Sequence, residues 1–422
     1  MSTEGRSAEP ASATSALESA GFVRLIARAD GDALAASGLL ASALAERETP
    51  YQVTVGRTIA ERSERVPASS DEDDATILVG AADAAGTDDF VRLAAASRPA
   101  TLEAVDLVRE MGATPDPVLA LAGVVAGGSE PGAGESEWLL ETARERGLVE
   151  QRPGVAVPTA DPVDGLAYST RLHAPWSGDP DATHEALADA TDGDPVDFDT
   201  DDHRAIGSLV ALDVVGADGA ADAAASSIGR ALRPYATPEG PFATLSGFAD
   251  VLEALARTEP GTGTALAMGH DVLEAALDAW REHGRRAHAA LADASTGRYD
   301  GLFVVGIDDG PVEAVAQIAA AYRSPESAVL AVNEGHGPSS NRTQSDDGND
   351  EAAIATRDAD PLGATVEGVA RELETGATDA DSETAADAGT AVEYDVGHRR
   401  GYLRYDPDVD KSTIIAAVRE FR

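Results

Sequence analysis

A chain of 422 residues has room for two domains and a sizeable core, and its 75 acidic against 32 basic residues give a formal charge of −43. The absence of cysteine excludes disulfides, thiolate catalysis and cysteine-held zinc, and no run approaches the ~18 consecutive apolar residues of a membrane-spanning helix. Lys411 is the single lysine, and so acidic and lysine-poor a chain is what a salt-filled cytoplasm selects, as in a halophilic archaeon, because molar salt shortens the Debye length to ~3 Å and screens self-repulsion.

Taken in chain order, residues 1–19 lack a basic segment ahead of an apolar core, so they read as a flexible tail of a cytoplasmic protein and not as a signal peptide. "FVRLIA" (22–27) is expected as a strand, the Ala- and Leu-rich 33–46 as a helix, and "YQVTVG" (51–56) and "ATILVGA" (75–81) as further strands. "SERVPASSDEDD" reads as an acidic loop between those strands. "DDFVRLAAA" and "TLEAVDLVREMG" read as helical, and "PVLALAGVVAGG" (117–128) fits a buried helix or a buried strand equally.

Helical signals follow at 137–149, 182–190 and 203–231 and in "FATLSGFADVLEALARTEPG", before a long helix over 271–294 that suits a connection between lobes. Strand and helix signals then restart: "YDGLFVVGID" (299–308), "GPVEAVAQIAAAYR", "SAVLAVNE" (327–334) and a final helix, "KSTIIAAVREF". Polar, acidic segments at 335–351 and 375–391 read as disordered insertions. The alternation predicts a two-lobed α/β protein with a doubly wound, mostly parallel sheet in the N-terminal lobe and a smaller α/β C-terminal lobe. The expected division is a tail at 1–19, a first lobe with a helical insertion at 20–262, a connecting helix at 263–295 and a second lobe at 296–422.

Two groups of residues could carry chemistry. Asp30 and Asp32, two apart on a strand-to-helix turn, could share one Mg²⁺ or Mn²⁺; in a chain this rich in aspartate, an aspartate ahead of a helix more often accepts from its free N–H groups. In "GHRRGYLRY" (397–405), Gly397, His398, Arg399, Arg400 and Arg404 suit a phosphate, with Tyr402 and Tyr405 able to stack on bases; the same stretch reads equally as a hairpin whose arginines neutralise nearby acids. Arg281, Arg285 and Arg286 read as a solvated helix face. His283 and His288 are five apart, which is not one helix face, and no HExxH, phosphate-loop, GxGxxG or GxSxG pattern occurs.

Together these pieces resemble the DHH phosphoesterase superfamily, in particular its archaeal RecJ-like branch that includes the GINS-associated nuclease. "LIARADGDALAASGLLASAL" is similar to the first motif of that family, with Asp30 and Asp32 at the metal-binding aspartates, Arg28 where a histidine is usual and Ala33 where a glycine is usual. "YSTRLHAPWSGDPDATHEALADA" is similar to the segment after the catalytic half, and "FADVLEALARTEPGTGTALAMG" to a later helix, with Glu253 to Arg257 at its motif. "AIATRD" (353–358) resembles the strand whose arginine, here Arg357, holds nucleic acid. "YDVGHRRGYLRY" resembles the glycine-rich motif of the DHHA1 domain, retaining Gly397 and His398.

The departures bear on activity. The second-strand aspartate is replaced around Gly80 and Ala81, with Asp83 two or three positions late; no His-His pair occurs; and the fourth motif ends in Gly127 and Gly128 instead of an aspartate. The resemblance implies a DHH–DHHA1 architecture and a catalytically degenerate protein that binds single-stranded DNA or RNA through Arg28, Arg357, Gly397, His398, Arg399 and Arg400. It implies replication or repair as the setting, with GINS and the replicative helicase as partners. An active Mn²⁺- or Mg²⁺-dependent exonuclease or oligonucleotide phosphodiesterase, recruiting Asp83, Asp106 or Asp116, is the alternative, and a protein-only scaffold is a third reading.

Overall fold

The computed structural model describes residues 10–67, 73–82, 90–93, 98–188, 198–333, 349–358, 361–378 and 392–422. The chain opens with helix α1 (Pro10–Ser19), strand β1 (Phe22–Arg28), helix α2 (Gly31–Glu46), strand β2 (Tyr51–Gly56), helix α3 (Ile59–Arg65) and strands β3 (Asp74–Val79) and β4 (Val91–Leu93). Three expectations change here. The expected flexible tail contains α1, whose Leu17 is buried because it packs into the main core. The expected acidic loop before β3 begins inside a helix, since its first three residues end α3, which is started by Thr58, whose hydroxyl accepts from the Glu61 N–H. The expected helix in "DDFVRLAAA" holds β4, which pairs in parallel with β3.

These strands form one parallel sheet in the order β2-β1-β3-β4. Period-2 alternation sends Val23, Leu25 and Ala27 of β1 into the main core and Ile26 to a smaller cluster with Leu78 on the other face. A sheet buried on both faces needs near-continuous apolar strands, which is why these runs are legible. Helices α4 (Ala100–Glu110) and α5 (Pro117–Ala126) follow and pack with α2. Asp116 caps α5 through Val118 and Leu119, Pro117 occupies its first turn, and Gly128 (φ +85°) ends it. Every residue of α5 is buried, so the apolar stretch is a helix without a polar face.

The middle of the chain adds α6 (Glu137–Glu145), strand β5 (Glu150–Gln151), α7 (Pro162–Tyr168), α8 (Pro180–Ala188), α9 (Thr200–Gly216), α10 (Ala223–Ala231) and strand β6 (Tyr235–Ala236). Then come α11 (Leu245–Thr258), α12 (Pro260–Ala267) and α13 (Leu273–Ala292). On α11 the buried Asp250 accepts from Trp280 Nε1 at 3.0 Å and from the Ser169 hydroxyl at 2.9 Å, which ties the first half of α13 to α11.

The C-terminal part holds β7 (Ser295–Tyr299), β8 (Leu302–Ile307), α14 (Val312–Ile318) with a π-helical turn at Ala319–Arg323, β9 (Ala328–Asn333), β10 (Asp350–Thr356), α15 (Gly363–Thr378), β11 (Glu393–Val396), β12 (Arg400–Tyr405) and α16 (Lys411–Phe421). Its six-stranded sheet runs β11-β12-β10-β9-β8-β7, with β8 and β9 parallel and the other pairs antiparallel. Leu330, Val332 and Ile354 meet Val366, Val369 and Ile414 of α15 and α16. The expected insertions shrink at their edges, since Asp350 and Glu351 belong to β10 and α15 runs to Thr378; the remainder, 335–348 and 379–391, lies outside the described residues.

The chain divides into two compact units that are not contiguous in sequence. The first comprises Met1–Ser169, Leu187–Gly207 and Ala231–His283, and the second Thr170–Ala186, Ser208–Arg230 and Gly284–Arg422. The break therefore falls within α13, and two middle segments belong with the C-terminal unit.

Candidate functional site

In the first sheet the connection after β1 runs to β2 on one side and the connection after β3 runs to β4 on the other, so the chain turns in opposite directions from the carboxyl ends of β1 and β3. Such a switch point is where open α/β sheets bind ligands. Arg28 ends β1 there, and Asp30 is the N-cap of α2, with extended backbone and Oδ1 accepting from the Ala33 N–H at 2.8 Å. The other oxygen of Asp30 receives the Arg28 guanidinium through Nε and Nη2.

Asp32 serves a different helix. Its Oδ2 accepts from the Ala100 N–H at 2.7 Å, and its Oδ1 from the Thr101 N–H at 2.9 Å and the Thr101 hydroxyl at 2.6 Å. These are the first N–H groups of α4, whose preceding residue, Pro99, offers no capping side chain. Asp32 supplies the cap from outside that helix. Burial raises its pKa to about 6, the Asp30 charge adds to that rise, and the Thr101 and Ala100 hydrogen bonds oppose it. The neighbouring Gly31 N–H donates to Glu253 Oε2 at 2.8 Å, and Glu253 forms a buried ion pair with Arg257 at 2.8 Å.

This donor set does not fit Mn²⁺ or Mg²⁺. The oxygens of Asp30 and Asp32 face N–H, O–H and guanidinium donors, and among the described residues no three His, Asp or Glu side chains converge to hold a metal ion. Gly80, at the end of β3, has φ +123°, and a Cβ there would come 3.0 Å from that of Arg28, so an aspartate is not accommodated. A Cβ on Gly127 would stand 3.3 Å from Asp32 Oδ2. Asp106 pairs with Arg98, Asp116 caps α5, and Asp83 lies outside the described residues.

Cationic groups occupy this edge of the sheet. The fully buried Arg62 donates from Nε to the Ala81 carbonyl at 2.7 Å and from Nη1 to the Gly56 carbonyl at 3.0 Å, joining the carboxyl ends of β3 and β2. Arg65 donates to the Val55 carbonyl.

The remaining sequence candidates lie in the second unit. Arg357 follows β10, and its guanidinium donates to the carbonyls of Ala320 and Ser324, closing the end of the π-helical turn. Burial lowers its pKa from the usual arginine value. Gly397, His398 and Arg399 form the turn between β11 and β12, where the Gly397 N–H donates to the Arg400 carbonyl at 2.8 Å; His398 and Arg399 are exposed, and Arg400 begins β12 half-buried. Arg404 pairs with Glu393 across the hairpin. Tyr402 and Tyr405 are each 2% exposed, so they are core residues and not stacking platforms.

Residues 294–420 match the family described as "Uncharacterized protein rrnAC1427, C-terminal domain". Over 344 residues, 79% of this chain and 85% of the relative, the chain is 44% identical to "Uncharacterized protein rrnAC1427" of Haloarcula marismortui. The chain belongs to the rrnAC1427 family. Among solved structures, CDC45 from Entamoeba histolytica is similar with a TM-score of 0.56 at 7% identity, covering 97% of each chain, so this member of the rrnAC1427 family shares the CDC45 fold. Exonuclease RecJ bound to manganese gives a TM-score of 0.46 at 13% identity, covering 99% of this chain and 96% of that one.

Two residues of this rrnAC1427-family site were beyond sequence reasoning. Glu253 reaches Gly31 across 222 positions, and only its place in the later helix motif pointed to it. Arg62 lies in a short, charged helix where no local pattern marks one arginine as buried.

Proposed function

We propose that this protein is a non-catalytic relative of RecJ-type phosphoesterases, which binds single-stranded nucleic acid in the cytoplasm as an accessory of replication or repair. The observation that carries the reading is the commitment of Asp30 and Asp32 to helix caps and to Arg28. Two-metal hydrolysis holds its cations ~3.5–4 Å apart on several carboxylates, and among the described residues this switch point offers no such set. Arg28 instead places a positive charge where metal cations would neutralise a phosphate. The exposed His398 and Arg399 of the β11–β12 turn offer a second phosphate contact, on the other unit. GINS and the replicative helicase are the protein partners that the RecJ-like resemblance implies.

The test is digestion of 5′-labelled single-stranded DNA in molar KCl with Mn²⁺, alongside Asp30→Ala, with strand binding measured in parallel. The expected result is no cleavage and a preference for single strands. Cleavage lost in Asp30→Ala overturns the non-catalytic reading, and absence of strand preference leaves a protein-only scaffold.

A further inference from the structure

We propose that a cavity beside Arg323, within the second unit, binds a small phosphomonoester of mononucleotide size. The cavity is about 270 Å³ and is lined by His173, Pro175, Val214, Asp218, Tyr322 and Arg323, among others. That volume lies just below the roughly 300 Å³ at which typical small-molecule sites start, which limits the ligand to a small one. The proposal does not rest on the nucleic-acid reading, which uses neither this cavity nor these residues.

Arg323 provides the recognition. Arg24, Arg98, Arg281 and Arg286 each hold a carboxylate, whereas among the described residues Arg323 is paired with none; its Nη1 donates to His173 Nε2 at 3.4 Å. A guanidinium has no acceptor, so His173 Nε2 is the acceptor and its proton sits on Nδ1, 3.3 Å from His288 Nδ1. The two imidazoles stack at 11° with centroids 5.4 Å apart. Burial, with His288 and Arg323 beside it, keeps His173 neutral, so the pair orients Arg323 without cancelling its charge.

The second edge of the guanidinium, Nε and Nη2, lies beside a glycine, so no side chain from that position covers it. Gly219 has φ +76°, and a Cβ there would stand 3.6 Å from Nε and 3.7 Å from Nη2 of Arg323. That edge is the fork that grips two phosphate oxygens at once. The walls are fixed in advance: the Ala221 N–H donates to the Tyr322 carbonyl at 2.8 Å, the Ser227 hydroxyl to the Ala321 carbonyl at 3.2 Å, and the Tyr322 hydroxyl to the Arg171 carbonyl.

Asp218 narrows the ligand class. A carboxylate in the same cavity repels a bare dianion but accepts hydrogen bonds from hydroxyls, while Pro175 and Val214 present apolar surface. A ligand with phosphate at one end, hydroxyls in the middle and a ring at the other satisfies all three.

The test is calorimetric titration of the full chain in molar KCl with adenosine 5′-monophosphate, adenosine and inorganic phosphate. Adenosine 5′-monophosphate is expected to bind, with adenosine and phosphate each at least tenfold weaker. Arg323→Gln is expected to weaken the monophosphate at least tenfold. Gly219→Asn, which tolerates the left-handed backbone and covers that guanidinium edge, is expected to do the same with an unchanged melting temperature, and it carries the test if Arg323→Gln does not fold. No binding at millimolar concentration, binding indifferent to both variants, or phosphate binding as tightly as the nucleotide would each overturn the proposal.

Discussion

At the scale of single residues, Asp30 and Asp32 stand two apart in sequence but hold different helices, so their substitutions should differ. Asp32→Ala leaves the first N–H groups of α4 and the Thr101 hydroxyl without their acceptor inside the fold. A lost cap costs ~1 kcal/mol, and buried orphaned donors raise that to ~2–3 kcal/mol. Asp30→Ala removes one cap bond at a more open position and leaves Arg28 reachable by water, so it should cost ~1 kcal/mol or less. Denaturant unfolding in molar KCl checks the order, and equal losses would count against separate roles. His173 gives a pH prediction with a definite sign. Its pKa falls to about 3 from 6.5, so the unfolded chain binds this proton more readily than the folded one. The contribution to stability is full above the unfolded value of about 6.5 and declines as pH falls through that value toward 3, at ~1.4 kcal/mol per pH unit. Between pH 7.5 and pH 5 the loss should be ~2 kcal/mol, and His173→Gln, which retains an acceptor for Arg323, should flatten that part of the curve.

At the scale of elements, the carboxyl ends of the strands decide what the site can hold. Reinstating an aspartate at the end of β3 as Gly80→Asp should not create a metal site. It forces a non-glycine residue to φ +123° beside Arg28, at a strain cost of ~1–3 kcal/mol; a lower melting temperature with no Mn²⁺-dependent rise is the expected outcome. The β11–β12 turn should behave oppositely: His398→Glu with Arg399→Glu changes two exposed side chains, so the melting temperature should hold while single-strand binding weakens at least tenfold. These elements were legible to different degrees for physical reasons. Strands β1 to β3 and the Asp-capped start of α2 announce themselves locally, by apolar runs and by a capping residue, whereas α5, buried all round, carries no period that tells a helix from a strand. Strand β7 is exposed along most of its length and so carries no alternation, while β4 has only three residues. The two tyrosines of β12 were misread because an interior strand covered on both faces buries Tyr402 on one and Tyr405 on the other. The destination of Asp32, 68 residues away in α4, has no local signature: the sequence pattern favours a cap over a metal, but a cap on the helix that follows and not on a distant one.

At the scale of the whole molecule, a charge of −43 sets opposite salt responses for stability and for binding. Ion pairs such as Arg98 with Asp106 and Glu135, or Arg281 with Asp164 and Asp278, neutralise acids locally but leave the excess intact. The screening length is ~10 Å at 0.1 M salt and ~3 Å at 1 M, so the melting temperature should climb steeply over that range. Phosphate binding runs the other way, because each neutralised phosphate of a single strand releases counterions and contributes ~−0.7 to the slope of log K against log salt. If Arg28 and Arg399 are the charged contacts, that slope should be about −1.4 above the salt concentration at which the protein is fully folded. Measuring both curves on one preparation separates the effects: a slope near −1.4 that falls by about half in Arg28→Gln places that arginine on the strand. A slope unchanged by the substitution would mean that the Arg28–Asp30 pair is structural and that the strand is held elsewhere.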